Sequence, residues 1–241
     1  MSVLLEICVD SPVGLKAAIE GGAARIELCS SLAVGGLTPS PGFMVQAARS
    51  GRPARAMIRP RVGDYVFTQD EIDVMRGDID AARKAGLAGV VIGASLPSWH
   101  LDEKTIRILA EHAAGLELTL NRTVDMAPDP LAGVDIAASL GFRSILTSGG
   151  SLKAPDGIEM IAAMVKRAAG RVEILAGSGL NPDNVRMMVE KTGVREVHGS
   201  FAAAWPDPID EKLVRFGYIV PDARETSQAQ VRRAKDALAG L

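Results

Sequence analysis

Aromatic side chains are scarce in this sequence: two tryptophans, two tyrosines and five phenylalanines in 241 residues. Surfaces that bind single-stranded nucleic acid stack bases on such rings, so the composition argues against that role. A basic surplus is missing as well. Lysine and arginine number 27 against 29 acidic residues, a formal net charge of -2, which is the wrong balance for neutralising phosphates along a duplex. No uninterrupted apolar stretch is long enough to span a bilayer. The N-terminus enters a strand pattern at once, without the basic and apolar regions of a secretory signal. A cytoplasmic protein is therefore expected. Its two cysteines are expected to stay reduced rather than form a disulfide. Familiar catalytic signatures are absent too: no Gly-x-Ser-x-Gly elbow and no His-Glu-x-x-His helix. After the first strand pattern the chain reads Val9-Asp10-Ser11-Pro12, where a dinucleotide-binding turn would carry Gly-x-Gly-x-x-Gly.

What is present is a repeated alternation. Short apolar runs predict eight strands, at 4–9, 25–30, 54–61, 89–93, 117–122, 144–149, 173–179 and 196–201. Helical patterns lie between them, at 12–21, 43–49, 69–85, 102–114, 129–141, 156–169 and 182–191, with a last one at about 227–239. Eight strand–helix units over about 240 residues point to an α/β protein, a single (β/α)8 TIM barrel spanning 1–241. An open doubly wound sheet is the competing arrangement. Two long loops, 30–42 and 202–227, follow strands and so fall on the barrel face where active sites are built.

The first two strands end alike, in Glu6-Ile7-Cys8 and Glu27-Leu28-Cys29. Alternation puts each acid and thiol on one face. If the strands are neighbours, two thiols and two carboxylates meet. Other strand ends add Arg59 and Arg61, Arg122 and Asp125, Ser148 and Gly149, the turn Gly177-Ser178-Gly179, and His198. Two thiolates suit a soft ion such as Cu(I). Glu6, Glu27, Arg59, Arg61, Asp125 and His198 suit acid–base work on a small anion. Arg122, Ser148, Gly149, Gly177, Ser178 and Gly179 would bind that anion, because glycine turns after late barrel strands offer backbone N–H groups to phosphate. Plainer roles compete: buried cysteines act as small hydrophobes, and Glu6 and Glu27 could pair with Arg59 and Arg61 inside the barrel.

Six motifs occur in order: Leu5-Glu6-Ile7-Cys8, Arg25-Ile26-Glu27-Leu28-Cys29, Gly35-Gly36-Leu37-Thr38-Pro39-Ser40, Ile58-Arg59-Pro60-Arg61-Val62-Gly63-Asp64, Leu146-Thr147-Ser148-Gly149 and Glu196-Val197-His198. Together they resemble the CutC family, named for copper homeostasis, over about residues 4–204. The resemblance implies a TIM barrel, a cytosolic and oligomeric protein, and copper bound at Cys8 and Cys29. One position departs from the family pattern. Where His-Arg-x-x-Asp is usual, the chain reads Asn121-Arg122-Thr123-Val124-Asp125. An amide is neither a general base nor a good soft-metal ligand.

Overall fold

The computed structural model describes residues 3–205 and 207–241. Eight parallel strands close into a barrel in sequence order: β1 (Leu4–Val9), β2 (Arg25–Leu28), β3 (Ala54–Met57), β4 (Gly89–Ile92), β5 (Glu117–Leu120), β6 (Ser144–Thr147), β7 (Glu173–Ala176) and β8 (Glu196–Gly199). The helices between and after them are α1 (Pro12–Gly21), α2 (Pro41–Ala48), α3 (Gln69–Ala85), α4 (Glu103–His112), α5 (Pro130–Ser139), α6 (Ile158–Ala168), α7 (Val185–Thr192), a short α8 (Glu211–Arg215) and α9 (Gln228–Ala237). This is the (β/α)8 TIM barrel, and the open sheet is excluded by the β1–β8 pairing. Local chemistry sets the helix ends. Thr68 and Glu71 form a reciprocal capping box at the start of α3, and Gly86, at φ 84°, stops it in the left-handed conformation that glycine adopts without strain.

Strand alternation divides the core in two. Ile7, Val9, Ile26, Leu28, Ile58, Val90 and Ile92 are buried in the outer core, between strands and helices. The inner face carries charge. Arg25 on β2 reaches Glu6 on β1 and Glu196 on β8. Arg55 on β3 donates to Thr119 on β5 at 2.5 Å and faces Ser144 on β6 at 3.4 Å. Bonds between non-adjacent strands run through the interior, so the inner layers are an ionic and hydroxyl network rather than the usual branched apolar packing. Arg55 is 1% exposed. A guanidinium held there depends on having its donors met.

Several strands end earlier than the sequence pattern predicts. β3 stops at Met57, not Arg61, because the chain turns away to bond another loop: Arg59 N donates to the Thr38 hydroxyl and Thr38 N to the Arg59 carbonyl. Pro60, next along, has no N–H for a ladder. β2 stops at Leu28, and Ser30 pairs with Leu37 across the following loop. β5 stops at Leu120, where the Asn121 side chain caps a short 3-10 turn at Arg122–Met126. The segment read as the loop 202–227 contains structure of its own: α8, and an antiparallel pair of β9 (Ala202–Ala204) with β10 (Arg224–Thr226). An alanine run without alternation carries no strand signal.

Candidate functional site

Register decides which inner side chains meet. Cys8 on β1 lies opposite Glu27 on β2, and Glu6 opposite Arg25. On the other side Glu6 lies opposite His198 of β8. The two Glu-x-Cys motifs are therefore offset by two residues, the stagger that closing a barrel requires. Cys29 sits one inner layer above Cys8, so the expectation of two sulfurs at one level is corrected. In its place Cys8, Glu27 and His198 bring one sulfur, one oxygen and one nitrogen within 4.8 Å of one another, all buried. Cys29 joins from above, its thiol 3.5 Å from Glu27 Oε2.

A chain of bonds orients His198. Its Nδ1 lies 2.8 Å from Glu6 Oε1, and Glu6 is gripped in turn by the Arg25 guanidinium. With Nδ1–H donated to that carboxylate, Nε2 is turned toward Glu27, at 3.6 Å from its Oε2. A carboxylate behind an imidazole is the usual outer support of a metal-ligating histidine. Glu27 Oε1 is buried and meets no hydrogen-bond donor among the described residues. An orphaned carboxylate oxygen beside a thiol and an imidazole nitrogen fits a cation.

The two carboxyls are driven apart. Burial alone would raise Glu6, but the Arg25 charge and the His198 contact overcome it and lower its pKa to about 2. Burial raises that of Glu27, only partly offset by His198. Burial also raises both thiols, Cys29 more strongly than Cys8. His198 is pushed well above its ordinary value: burial opposes its charge, and the Cys8 and Glu27 charges outweigh it. Environments that separate two carboxyls in this way give them different jobs. Here Arg25 and His198 hold Glu6 as an anion, while burial favours the neutral form of Glu27.

The lowered Glu6 has a consequence in acid. Its stabilising effect is present above its unfolded pKa near 4.5 and is lost as pH falls toward about 2. A shift of that size corresponds to about 3 kcal/mol. Glu27 acts in the opposite sense, so a comparison with Glu6→Gln isolates the effect. In metal-free protein, the wild-type advantage over Glu6→Gln is expected to shrink by about 3 kcal/mol between pH 5.5 and pH 2, read by urea unfolding across the pH series. A gap that stays constant contradicts the assignment.

Above these residues opens a cavity of about 610 Å³, lined among others by Cys8, Glu27, His198, Met57, Tyr65 and Leu146. Arg59 does not pair with Glu6 or Glu27. Its guanidinium donates to the carbonyls of Val34, Gly36 and Gly63 and lies 4.6 Å over the Tyr65 ring. It ties together the two loops that roof Cys29. Gly36, at φ 84°, is so close that a Cβ there would stand 2.9 Å from Cys29 Sγ. Arg61 is turned to the surface, bonded to Glu71 and Asp64, because the early end of β3 takes it off the inner face.

Asp125 and the β6 turn also differ from expectation. The Asp125 carboxylate accepts from the N–H groups of Ser148 and Gly150, from the Thr147 and Ser148 hydroxyls, and from Arg122 Nε. Gly149 N donates to the Thr147 hydroxyl. The glycine turn after β6 thus holds an anion from its own chain, and Ser148 and Gly149 have no donors left for an outside one. Arg122 still lines the cavity, as do Ser178 and Gly179. Gly177 packs against His198: a Cβ there would stand 3.1 Å from its ring. Asn121 is buried, its Oδ1 accepting from Thr123 N, and it lies outside the residues lining the cavity.

Sequence reading passed over Arg25, Arg55, Tyr65 and Arg224. Arg25 and Arg55 share strand parity with Glu27 and Met57, and that was the available signal.

The profile of the CutC family matches residues 3–203. The chain belongs to the CutC family. A CutC family protein of Caulobacter vibrioides is 51% identical over 241 residues, covering 99% of this chain and 98% of the relative. One from Rhizobium meliloti is 49% identical, covering 95% and 94%. Among solved structures, a Streptococcus agalactiae protein whose name links CutC with copper homeostasis is 32% identical, with a TM-score of 0.79 over 82% of this chain and 98% of that one. A thiamine phosphate pyrophosphorylase from Pyrococcus furiosus, 18% identical at a TM-score of 0.60 over 98% of this chain and 95% of that one, shares the fold alone. No described helix of this CutC-family chain is long and apolar enough to cross a membrane.

Proposed function

We propose that the protein handles copper and holds the ion at the mouth of the barrel, between Cys8 Sγ and His198 Nε2, with the Glu27 carboxylate beside it. The observation that carries this reading is the meeting of sulfur, nitrogen and oxygen within 4.8 Å, next to a carboxylate oxygen without a donor. Thiolate and imidazole are both good copper ligands, and the thiolate selects the reduced ion. Glu27 offsets its charge where water is excluded. Cys29, linked to Glu27 from above, is a second thiol on the way in. Both cysteines are free, in keeping with work in a reducing cytoplasm. The family's tie to copper, printed in the name of the Streptococcus agalactiae relative, points the same way.

Reduced protein titrated with Cu(I) against a chromophoric chelator is expected to take up about one ion per chain. The double variant Cys8→Ala, His198→Gln is expected to take up none while keeping its circular dichroism. Equal uptake by folded wild type and double variant would overturn the proposal.

A further inference from the structure

A copper ion needs little of a cavity of about 610 Å³, and the rest of that cavity has a character of its own. Its other wall is made by the turns that follow β7 and β8. Ser178, Gly179 and Leu180 come from the first turn, Ser200 and Phe201 from the second, and Arg224 from β10. Ser178 and Gly179 are both left-handed, at φ 79° and 73°. Their turn is pinned from outside: the Ser178 carbonyl accepts from Ala154 N at 2.9 Å, and its hydroxyl donates to the Leu152 carbonyl at 2.8 Å. The backbone N–H groups of Ser178, Gly179, Leu180 and Ser200, by contrast, meet no acceptor among the described residues. Leu180 is buried and Ser178 and Ser200 are half-buried, while Gly179 is exposed; N–H groups of buried or half-buried residues are rarely left without an acceptor.

The turn after β6 shows what such a turn takes in this barrel. There, N–H groups of Ser148 and Gly150 close on the Asp125 carboxylate. After β7 and β8 no side chain of the described residues supplies that anion. Charge agrees. Arg122 and Arg233 are each paired with an aspartate, Asp125 and Asp183. Arg224 bonds the Ala202 carbonyl and, among the described residues, has no carboxylate partner, so it brings a guanidinium free of an ion pair to the cavity edge.

We propose that these two turns bind the phosphate of a small organic phosphate ester. Its phosphate would sit on the N–H groups of Ser178, Gly179, Leu180 and Ser200, with Arg224 at the edge. Four N–H donors and a guanidinium match the three terminal oxygens of a phosphate better than the two of a carboxylate. The remaining space, walled by Met57 and Leu146 and floored by His198, takes the organic part. This inference stands apart from the copper reading.

Metal-free protein would be titrated calorimetrically with glycerol 3-phosphate, inorganic phosphate and glycerol. Glycerol 3-phosphate is expected to bind at least about tenfold more tightly than inorganic phosphate, and glycerol not at all. Arg224→Glu is expected to weaken glycerol 3-phosphate by at least about tenfold at an unchanged melting temperature. The proposal is overturned if neither phosphate binds at about 10 mM, if inorganic phosphate binds as tightly as the ester, or if Arg224→Glu binds like wild type.

Discussion

Replacing Arg25 with methionine is expected to lower the stability of the metal-free protein by about 3–5 kcal/mol, among the largest effects of any single change. Arg25 is 4% exposed, and its guanidinium is shared by Glu6 and Glu196 inside the barrel. Glu196 keeps Ser144 as a donor and Arg143 at 3.8 Å. Among the described residues, Glu6 keeps only His198. Removing the cation leaves two buried carboxylates facing each other, and each must either stay charged without its partner or take up a proton. Methionine fills much of the volume, so the loss reports charge rather than a void. Arg61→Met is the natural contrast: it removes an equally well-bonded arginine, but one 36% exposed and paired at the surface, and is expected to cost less than about 1 kcal/mol. Urea unfolding of both variants decides the matter. Equal losses would show that the inner network is not what holds the barrel centre together.

Arg25 also connects stability to the site. It fixes Glu6, Glu6 fixes the His198 ring, and the ring presents Nε2 toward Cys8 and Glu27. The His198 orientation therefore depends on the ionic interior, and a change at Arg25, one inner position below Glu27, reaches the site through one imidazole.

Strand count, strand parity and the barrel were legible in the sequence, because alternation is a local property written over four to six residues. Cys8, Glu27 and Cys29 do face inward, as parity indicates. Two things were not local. One was register: the barrel's stagger is a condition of closure by eight strands, and nothing in Glu6-Ile7-Cys8 or Glu27-Leu28-Cys29 announces that Cys8 lies opposite Glu27. The other was the partner of each charge. Arg59 and Arg61 looked like mates for the glutamates, but β3 ends at Met57, and Arg25, on the same strand as Glu27, takes that place. The glycine turn after β6 gave the same difficulty. Its form indicates an anion; that the anion is Asp125, from 23 residues earlier, depends on how the β5 turn folds back.

The second large effect concerns which atoms hold the metal. With Cys8 and His198 as ligands, Cys8→Ala and His198→Gln are each expected to weaken Cu(I) by at least about a hundredfold, close to 3 kcal/mol. Cys29→Ala is expected to change it by less than about tenfold, since Cys29 meets the site only through Glu27. A two-cysteine site gives another ranking, with Cys8 and Cys29 equally costly and His198 nearly silent. X-ray absorption at the copper K-edge of the Cu(I)-loaded protein tests this most directly. One sulfur and one nitrogen in the first coordination shell, with the nitrogen signal lost in His198→Gln, is the expected result. Two sulfurs and no imidazole scattering would contradict it.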